Sequence, residues 1–307
     1  MFLKRFKSLI LYLMVRLSFA FLRGMRRPLA NSICRFIAIL IWSMDSKHRS
    51  IGMKNLSIAF PQRSIRWKKM ILRDSFLNLG ELTVELSRIP GLERSEICKR
   101  VIYEEGYGLE NYLRAKDSGK GVLFVTAHIS AWELLPAAHA ARGYPLSFLV
   151  RRLDNIWLDR WSRKIRCKFG NKIVDKRRSI RKVISLIRRG EDVGFLLDQN
   201  VMEHEGVYVP FFGWMASTSS SVAALAIRTG APVVVGFICP GPKLGLFKIR
   251  FYPAFRAQEK AEMSSEILRL TTLINQRIEE VIQEFPARWL WCHRRFQTQP
   301  DGINPYS

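Results

Sequence analysis

The chain has 307 residues, 48% of them hydrophobic, which suits one large α/β domain with an appendage or two small domains and excludes wholesale disorder. A net charge of +24 points to polyanionic partners: nucleic acid, an anionic membrane or a phosphorylated substrate. Cys34, Cys98, Cys167, Cys239 and Cys292 are scattered with no CxxC, and the five histidines show no HExxH, so neither a disulfide framework nor a zinc site is indicated, and no metal or other cofactor is expected.

Residues 1–44 carry eight Lys or Arg and no acid. Within them "SLILYLMVRLSFAFL" (8–22) is apolar apart from Arg16, and "ANSICRFIAILIWSM" (30–44) is interrupted by Arg35. Each falls short of the roughly 20 apolar residues that a clean span needs, and no small-residue cleavage site marks a signal peptide. A helix lying in the headgroup region, or one short span with Arg16 snorkelling, fits this pattern. The plain alternative is an amphipathic pair packed on the domain. Positive charge on both flanks of the first stretch leaves orientation open. The expected division is a helical membrane-associated segment, 1–47, followed by a domain over 48–307.

Apolar positions Ile71, Phe76, Leu79, Leu82 and Leu86 repeat with helical spacing across 65–89. A short helix closed by glycine is predicted over 108–121. "GVLFVTA" (121–127) reads as a strand buried on both faces. Helical character resumes over 132–142, and 146–150 is again strand-like. Basic helices follow over 156–169 and 179–190. Strands are predicted over 192–198, 231–239 and 246–252, and a long amphipathic helix over 264–285. Strands alternating with helices indicate an α/β fold with a mixed central sheet covered by helices.

"TAHISAWE" (126–133) ends the first predicted strand on His128 and places Glu133 five residues later. On one ideal helix these side chains would not share a face. They meet if His128 sits at the strand end and Glu133 in the first turn of the next helix. Open α/β sheets bind ligands at the carboxyl ends of their strands, and an imidazole beside a carboxylate is a general base of fixed orientation. No GxSxG elbow occurs and no cysteine adjoins the motif, so the base would activate a hydroxyl of the substrate. The plain alternative is a strand-end histidine with an unrelated surface glutamate.

Four more stretches extend the motif: "GMKNLSIAFP" (52–61), "LVRRLDNIWLDRW" (149–161), residues 194–237 with "DQN" (198–200) and "PFFG" (210–213), and "PARWLWCHRRF" (286–296). In this order they resemble the bacterial late lipid A acyltransferase family, the lauroyl- and myristoyl-transferases of the wider lysophospholipid acyltransferase superfamily. The resemblance runs from about residue 48 to 296. It implies an O-acyltransferase moving a fatty acyl chain from acyl carrier protein, or acyl-CoA, to a hydroxyl of a lipid A-type glycolipid precursor. It implies a His128–Glu133 dyad as general base. The family's tyrosine-arginine pair stands here as Val150–Arg151, so only the arginine matches. Asp198 and Gln199 match its Asp-Gln element, and Phe211 and Phe212 its phenylalanine-glycine loop. The "FPEGTRS" signature of glycerophosphate acyltransferases is absent.

These parts suit acyl transfer, whose tetrahedral oxyanion needs preorganised donors. Arg151 is a candidate donor or phosphate clamp, or else ordinary surface charge. Asp198 would orient Arg151 or an acceptor hydroxyl, or else cap a turn. Phe211 and Phe212 would wall an acyl groove, although adjacent aromatics are more often core. Trp289, Trp291 and Arg295 read as packing first. Residues 151–190 carry fifteen Lys or Arg against three acids, more than the family pattern requires. This region suits a phosphorylated glycolipid and the acidic face of acyl carrier protein. No helix-turn-helix, zinc-finger, RRM or KH pattern accompanies it, so nucleic acid is not the expected partner. The expectation is an acyltransferase on an anionic membrane, the inner membrane, with its site facing the cytoplasm. An acyltransferase for another lysolipid is the second reading. A basic membrane-surface or nucleic-acid binder without catalysis is the third.

Overall fold

The computed structural model describes residues 2–175 and 180–306. Met1, Ser307 and 176–179 lie outside the described residues; the last include the start of the helix expected over 179–190 and three of its basic neighbours. Four helices come first: α1 (Phe2–Gly24), α2 (Arg27–Met44), α3 (Ser46–Ala59) and α4 (Ile65–Arg88). After α5 (Arg94–Arg100) the chain alternates through β1 (Val101–Tyr103), α6 (Leu109–Lys116), β2 (Leu123–Thr126), α7 (Leu134–Ala141), β3 (Leu146–Val150), α8 (Ile156–Arg166), β4 (Lys172–Asp175), α9 (Ile180–Arg188) and β5 (Asp192–Leu196). A hairpin follows, β6 (Gly206–Phe211) and β7 (Trp214–Ser219), then α10 (Ser221–Thr229), β8 (Val233–Pro240), β9 (Phe247–Phe251) and α11 (Met263–Glu284).

Among the described residues one sheet has the order β1-β9-β8-β2-β5-β3-β4. The strands β8, β2, β5, β3 and β4 run parallel, β9 is antiparallel to β8, and β1 is parallel to β9. The α/β class and the mixed central sheet covered by helices are therefore as the sequence indicated. The apolar run of β2 is explained by its two buried faces. Leu123 and Val125 join a core with Ile187 of α9, Ala226 of α10 and Ile278 of α11. Phe124, between them, joins a second core with Tyr112 of α6 and Leu135 and Ala138 of α7.

The N-terminal helices are docked on this body. The inner face of α2 is Ala30, Asn31, Cys34 and Ala38, small enough for close approach to α4. A Cβ on Gly80 of α4 would lie 2.9 Å from the Cys34 carbonyl oxygen, so glycine is required there. Buried Glu85 of α4 is flanked by Arg27 of α2 and by Arg100. Tyr12 and Phe19 of α1 pack on Trp157 and Trp161 of α8, with centroids 6.2 and 5.0 Å apart. The outward faces stay apolar: Ile10, Met14, Leu17 and Phe21 on α1, and Phe36, Ile37, Leu40 and Met44 on α2, are all exposed. Among the described residues no single helix is long and apolar enough to cross a membrane; α2 and α3, bent by 88°, meet the length and composition only as a pair.

His139 of α7 is fully buried, ringed by Phe124, Tyr144 and Phe251, and its Nδ1 shares a 2.8 Å hydrogen bond with the Tyr103 hydroxyl. Burial, with smaller contributions from the charges of Arg142 and Lys116, pushes its pKa down to about 3. The unfolded chain therefore binds a proton near the ordinary imidazole value of about 6.5 that the folded chain refuses. Stability from this group is complete above that value and declines as pH falls toward 3. Unfolding free energies measured across pH 4–7 should fall with acid for the wild type, and less steeply for His139→Gln.

Candidate active site

The site is built where β2 ends. Beyond Thr126 the backbone turns tightly, with Ile129 N donating to Ala127 O at 2.8 Å around His128. Ser130 then adopts φ 52°, a left-handed conformation uncommon for a side-chain-bearing residue. The turn is braced by the C-terminal segment: Ser130 N donates to Arg288 O at 2.8 Å, and Leu290 N to His128 O at 3.2 Å.

Parallel pairing of β2 with β5 sets the geometry. Leu123 faces Val193 and Thr126 faces Leu196, a constant offset, and the same offset brings Asp198 beside His128. The His128 backbone N–H donates to Asp198 Oδ2 at 2.9 Å, and its Nδ1 lies 2.8 Å from Oδ1. Trp289 Nε1 donates to Oδ2 at 2.8 Å. Because a carboxylate only accepts, Nδ1 carries the proton and the neutral ring keeps its lone pair on Nε2. Burial alone would raise the Asp198 pKa; the His128 charge, the two hydrogen bonds from His128 and that from Trp289 hold it below the usual carboxylate range. For His128 burial works downward, but the Asp198 charge, its hydrogen bond and the more distant charge of Glu133 leave the imidazole above its ordinary value.

Glu133 precedes α7, and its carboxylate turns to Arg166 of α8: Arg166 Nε donates to Oε2 at 2.9 Å, and Nη2 contacts Oε1. The carboxylate against the imidazole is thus Asp198, while Glu133 acts on His128 through its charge. Asp198 makes no hydrogen bond or ion pair with Arg151 among the described residues, but its bond from the His128 backbone N–H also caps the turn. It fills the partner role that the sequence reading gave to Glu133, five residues from His128.

A cavity of about 360 Å³ runs from these groups along the sheet face beneath α7. His128, Glu133, Arg166, Arg151 and Gln199 stand at its polar end; Phe124, Leu135, Pro136, Phe148 and Phe195 form apolar walls. Gly194 leaves the floor open between Phe124 and Phe148. Arg151 is exposed and makes no ion pair among the described residues. Phe211 and Phe212 are not brought to the cavity. Phe212 and Gly213, at φ 52° and 76°, form the two-residue turn of the β6–β7 hairpin. Phe211 is fully buried beneath the Arg295 guanidinium, 4.7 Å from its ring centroid, and Phe212 packs on Phe60. Arg295 itself is pinned by Ser217 O at 2.8 Å and Thr218 Oγ1 at 2.6 Å, a packing role.

Sequence reasoning missed Arg166 and Trp289 as site residues. Arg166 is one cation in a basic run, and nothing in the sequence marks it out. The "RWLW" stretch does signal something, but its reach back to Asp198 is a tertiary fact.

Comparison with known proteins identifies the family. The family model for bacterial lipid A biosynthesis acyltransferases matches residues 2–298. A lipid A biosynthesis palmitoleoyltransferase of Escherichia coli is 26% identical over 258 residues, covering 83% of this chain and 81% of that protein. A lipid A biosynthesis acyltransferase of Haemophilus influenzae is 23% identical over 88% of this chain and 82% of its own length. A lauroyltransferase of lipid A biosynthesis from E. coli is 24% identical over 96% and 91%. A family match over nearly the whole chain, with a strand-end histidine above an apolar cavity, leads to one conclusion: the chain is an acyltransferase and belongs to the bacterial lipid A biosynthesis acyltransferase family.

Proposed function

We propose that the protein transfers a fatty acyl chain from the thioester of acyl carrier protein, or of acyl-CoA, to a hydroxyl of a lipid A-type glycolipid precursor at the cytoplasmic face of the inner membrane. The observation that carries this reading is the His128 ring: Nδ1 committed to Asp198, and Nε2 left as the base at the polar end of an apolar cavity. His128 Nε2 takes the acceptor hydroxyl proton as the oxygen bonds to the thioester carbonyl carbon. The carbon–sulfur bond then breaks, and the imidazolium returns the proton to the departing thiolate. Asp198 orients the ring and stabilises its cationic form. Arg166, held by Glu133, and Arg151 offer guanidinium groups to the developing oxyanion or to an acceptor phosphate. Gln199 adds a polar contact. The acyl chain lies along Phe124, Phe148 and Phe195. No cofactor enters the reaction.

Membrane attachment belongs to the same reading, with residues 1–47 as the attached segment and 48–307 as the catalytic domain. Support comes from α1, whose exposed apolar face lies opposite its basic, α8-facing side. The test is mass spectrometry of a phosphorylated lipid A-type glycolipid acceptor incubated with acyl-loaded carrier protein or acyl-CoA, where a gain of one acyl chain is expected. Absence of any acylated product with either donor overturns the reading. The pH profile adds a sign. A protonated imidazole cannot accept a proton, so the rate falls as pH drops through the raised His128 pKa. The acid limb of kcat/KM should lie above the ordinary value of about 6.5, and a limb below it argues against His128 as the base.

A further inference from the structure

The basic stretch after β3 has two faces. On the side of α8 toward the sheet, cations are paired: Arg163 with Asp159 and Asp175, and Arg166 with Glu133. The side toward α1 is different. There a second cavity, of about 840 Å³, opens between Arg16 of α1 and Arg160, Lys164 and Lys168 on and just beyond α8, with Trp157 and Trp161 as aromatic walls. Among the described residues no carboxylate pairs with any of these four cations. Arg16 donates to the Tyr12 hydroxyl at 3.1 Å, and Lys168 to the Pro90 carbonyl at 2.7 Å. The Arg160 guanidinium lies 6.0 Å from the Trp157 ring centroid. Lys168 is lowered in pKa, first by burial and then by the nearby charge of Arg23, with Glu93 and Glu96 acting on it only through space. Like charges gathered without a directly paired carboxylate raise the free energy of the protein alone, and an anion relieves this.

We propose that this cavity is a non-catalytic site for the phosphate headgroup of an anionic bilayer lipid. Its place in the fold chooses a lipid over a soluble anion. The helix that supplies Tyr12 and Arg16 to the cavity also carries Ile10, Met14, Leu17 and Phe21 exposed on its other side, so one helix joins the cation cluster to an apolar face suited to a bilayer. Interfacial tryptophans beside guanidinium and ammonium groups are what a headgroup region accepts. The inference rests on the membrane attachment proposed above but not on the chemistry at His128. Its consequence is a fixed pose: a lipid phosphate held against α8 sets the angle at which the domain rests on the bilayer.

The experiment is flotation of the full chain with vesicles of phosphatidylcholine alone or with one-fifth phosphatidylglycerol, at near-physiological salt. The variant is Arg160→Gln with Lys164→Gln, both on the α1-facing side of α8. The charge-matched control is Arg181→Gln with Lys182→Gln on exposed positions of α9. The α8 double variant should lose roughly tenfold or more of its affinity for phosphatidylglycerol vesicles, with the control within about threefold of wild type. Circular dichroism establishes that both are folded. Equal binding by the two doubles removes the headgroup site while leaving membrane attachment standing. Failure of the wild type to float with either vesicle removes both. A third arm adds glycerol phosphate: if about 1 mM of it erases the difference between the doubles, the site takes a free phosphate and the lipid assignment falls.

Discussion

His128→Ala is expected to slow acyl transfer by about two to four orders of magnitude, the usual contribution of a positioned general base. The fold should survive. Asp198 loses the ring but keeps the backbone N–H at residue 128 and the Trp289 indole. The stability cost should therefore stay near that of one charge-assisted hydrogen bond, about 1.5–3 kcal/mol. Turnover counted by mass spectrometry and a denaturant melt separate the two effects. Wild-type turnover in a folded His128→Ala protein would remove the imidazole from the mechanism.

The second large effect separates the two carboxylates. Asp198→Asn keeps the size but replaces an acceptor with a group whose amide can point its N–H at Nδ1. The ring then carries its proton on Nε2 and cannot act as base, a change worth up to about 10⁴ in rate. Glu133→Gln frees Arg166 and removes a charge that helps raise the His128 pKa. Its rate loss should be smaller, on the order of tenfold to a hundredfold, and its acid limb should move to lower pH. The reverse ranking, with Asp198→Asn fully active and Glu133→Gln dead, would restore Glu133 as the partner of the imidazole.

Much of this fold is legible one element at a time. The strand expected over 146–150 coincides with β3, and those expected over 192–198, 231–239 and 246–252 differ from β5, β8 and β9 by two residues or fewer at each end. These strands are apolar enough, or alternate regularly enough, to declare themselves. β1 and β4 do not. One is three residues long, and the other carries Lys172 and Asp175 at its ends, as short edge strands do. The β6–β7 hairpin hides because β7, "WMASTS", has no clear apolar alternation. The site divides in the same way. His128 is visible because a buried strand ends on it. Its partner is not, because nearness in sequence favours Glu133, whereas nearness in space follows strand order. With β5 beside β2, the residue two places past β5 meets the residue two places past β2. No local pattern encodes that neighbourhood. Phe211 and Phe212 show the opposite error, since an aromatic pair suggests a groove but serves here as the end of a hairpin.

The brace on the His128 turn has a temporal side. β2 and β5 can pair once residue 198 has been made, but Asp198 receives its indole hydrogen bond from Trp289, and Ser130 gives its N–H to Arg288. Both come from the segment after α11, the last long helix to be synthesised. A chain still on the ribosome can therefore have most of its sheet assembled, with Asp198 beside His128, while the His128 turn still lacks these two braces. The candidate site is thus finished late, when the stretch after α11 folds back and the last two braces on the His128 turn close.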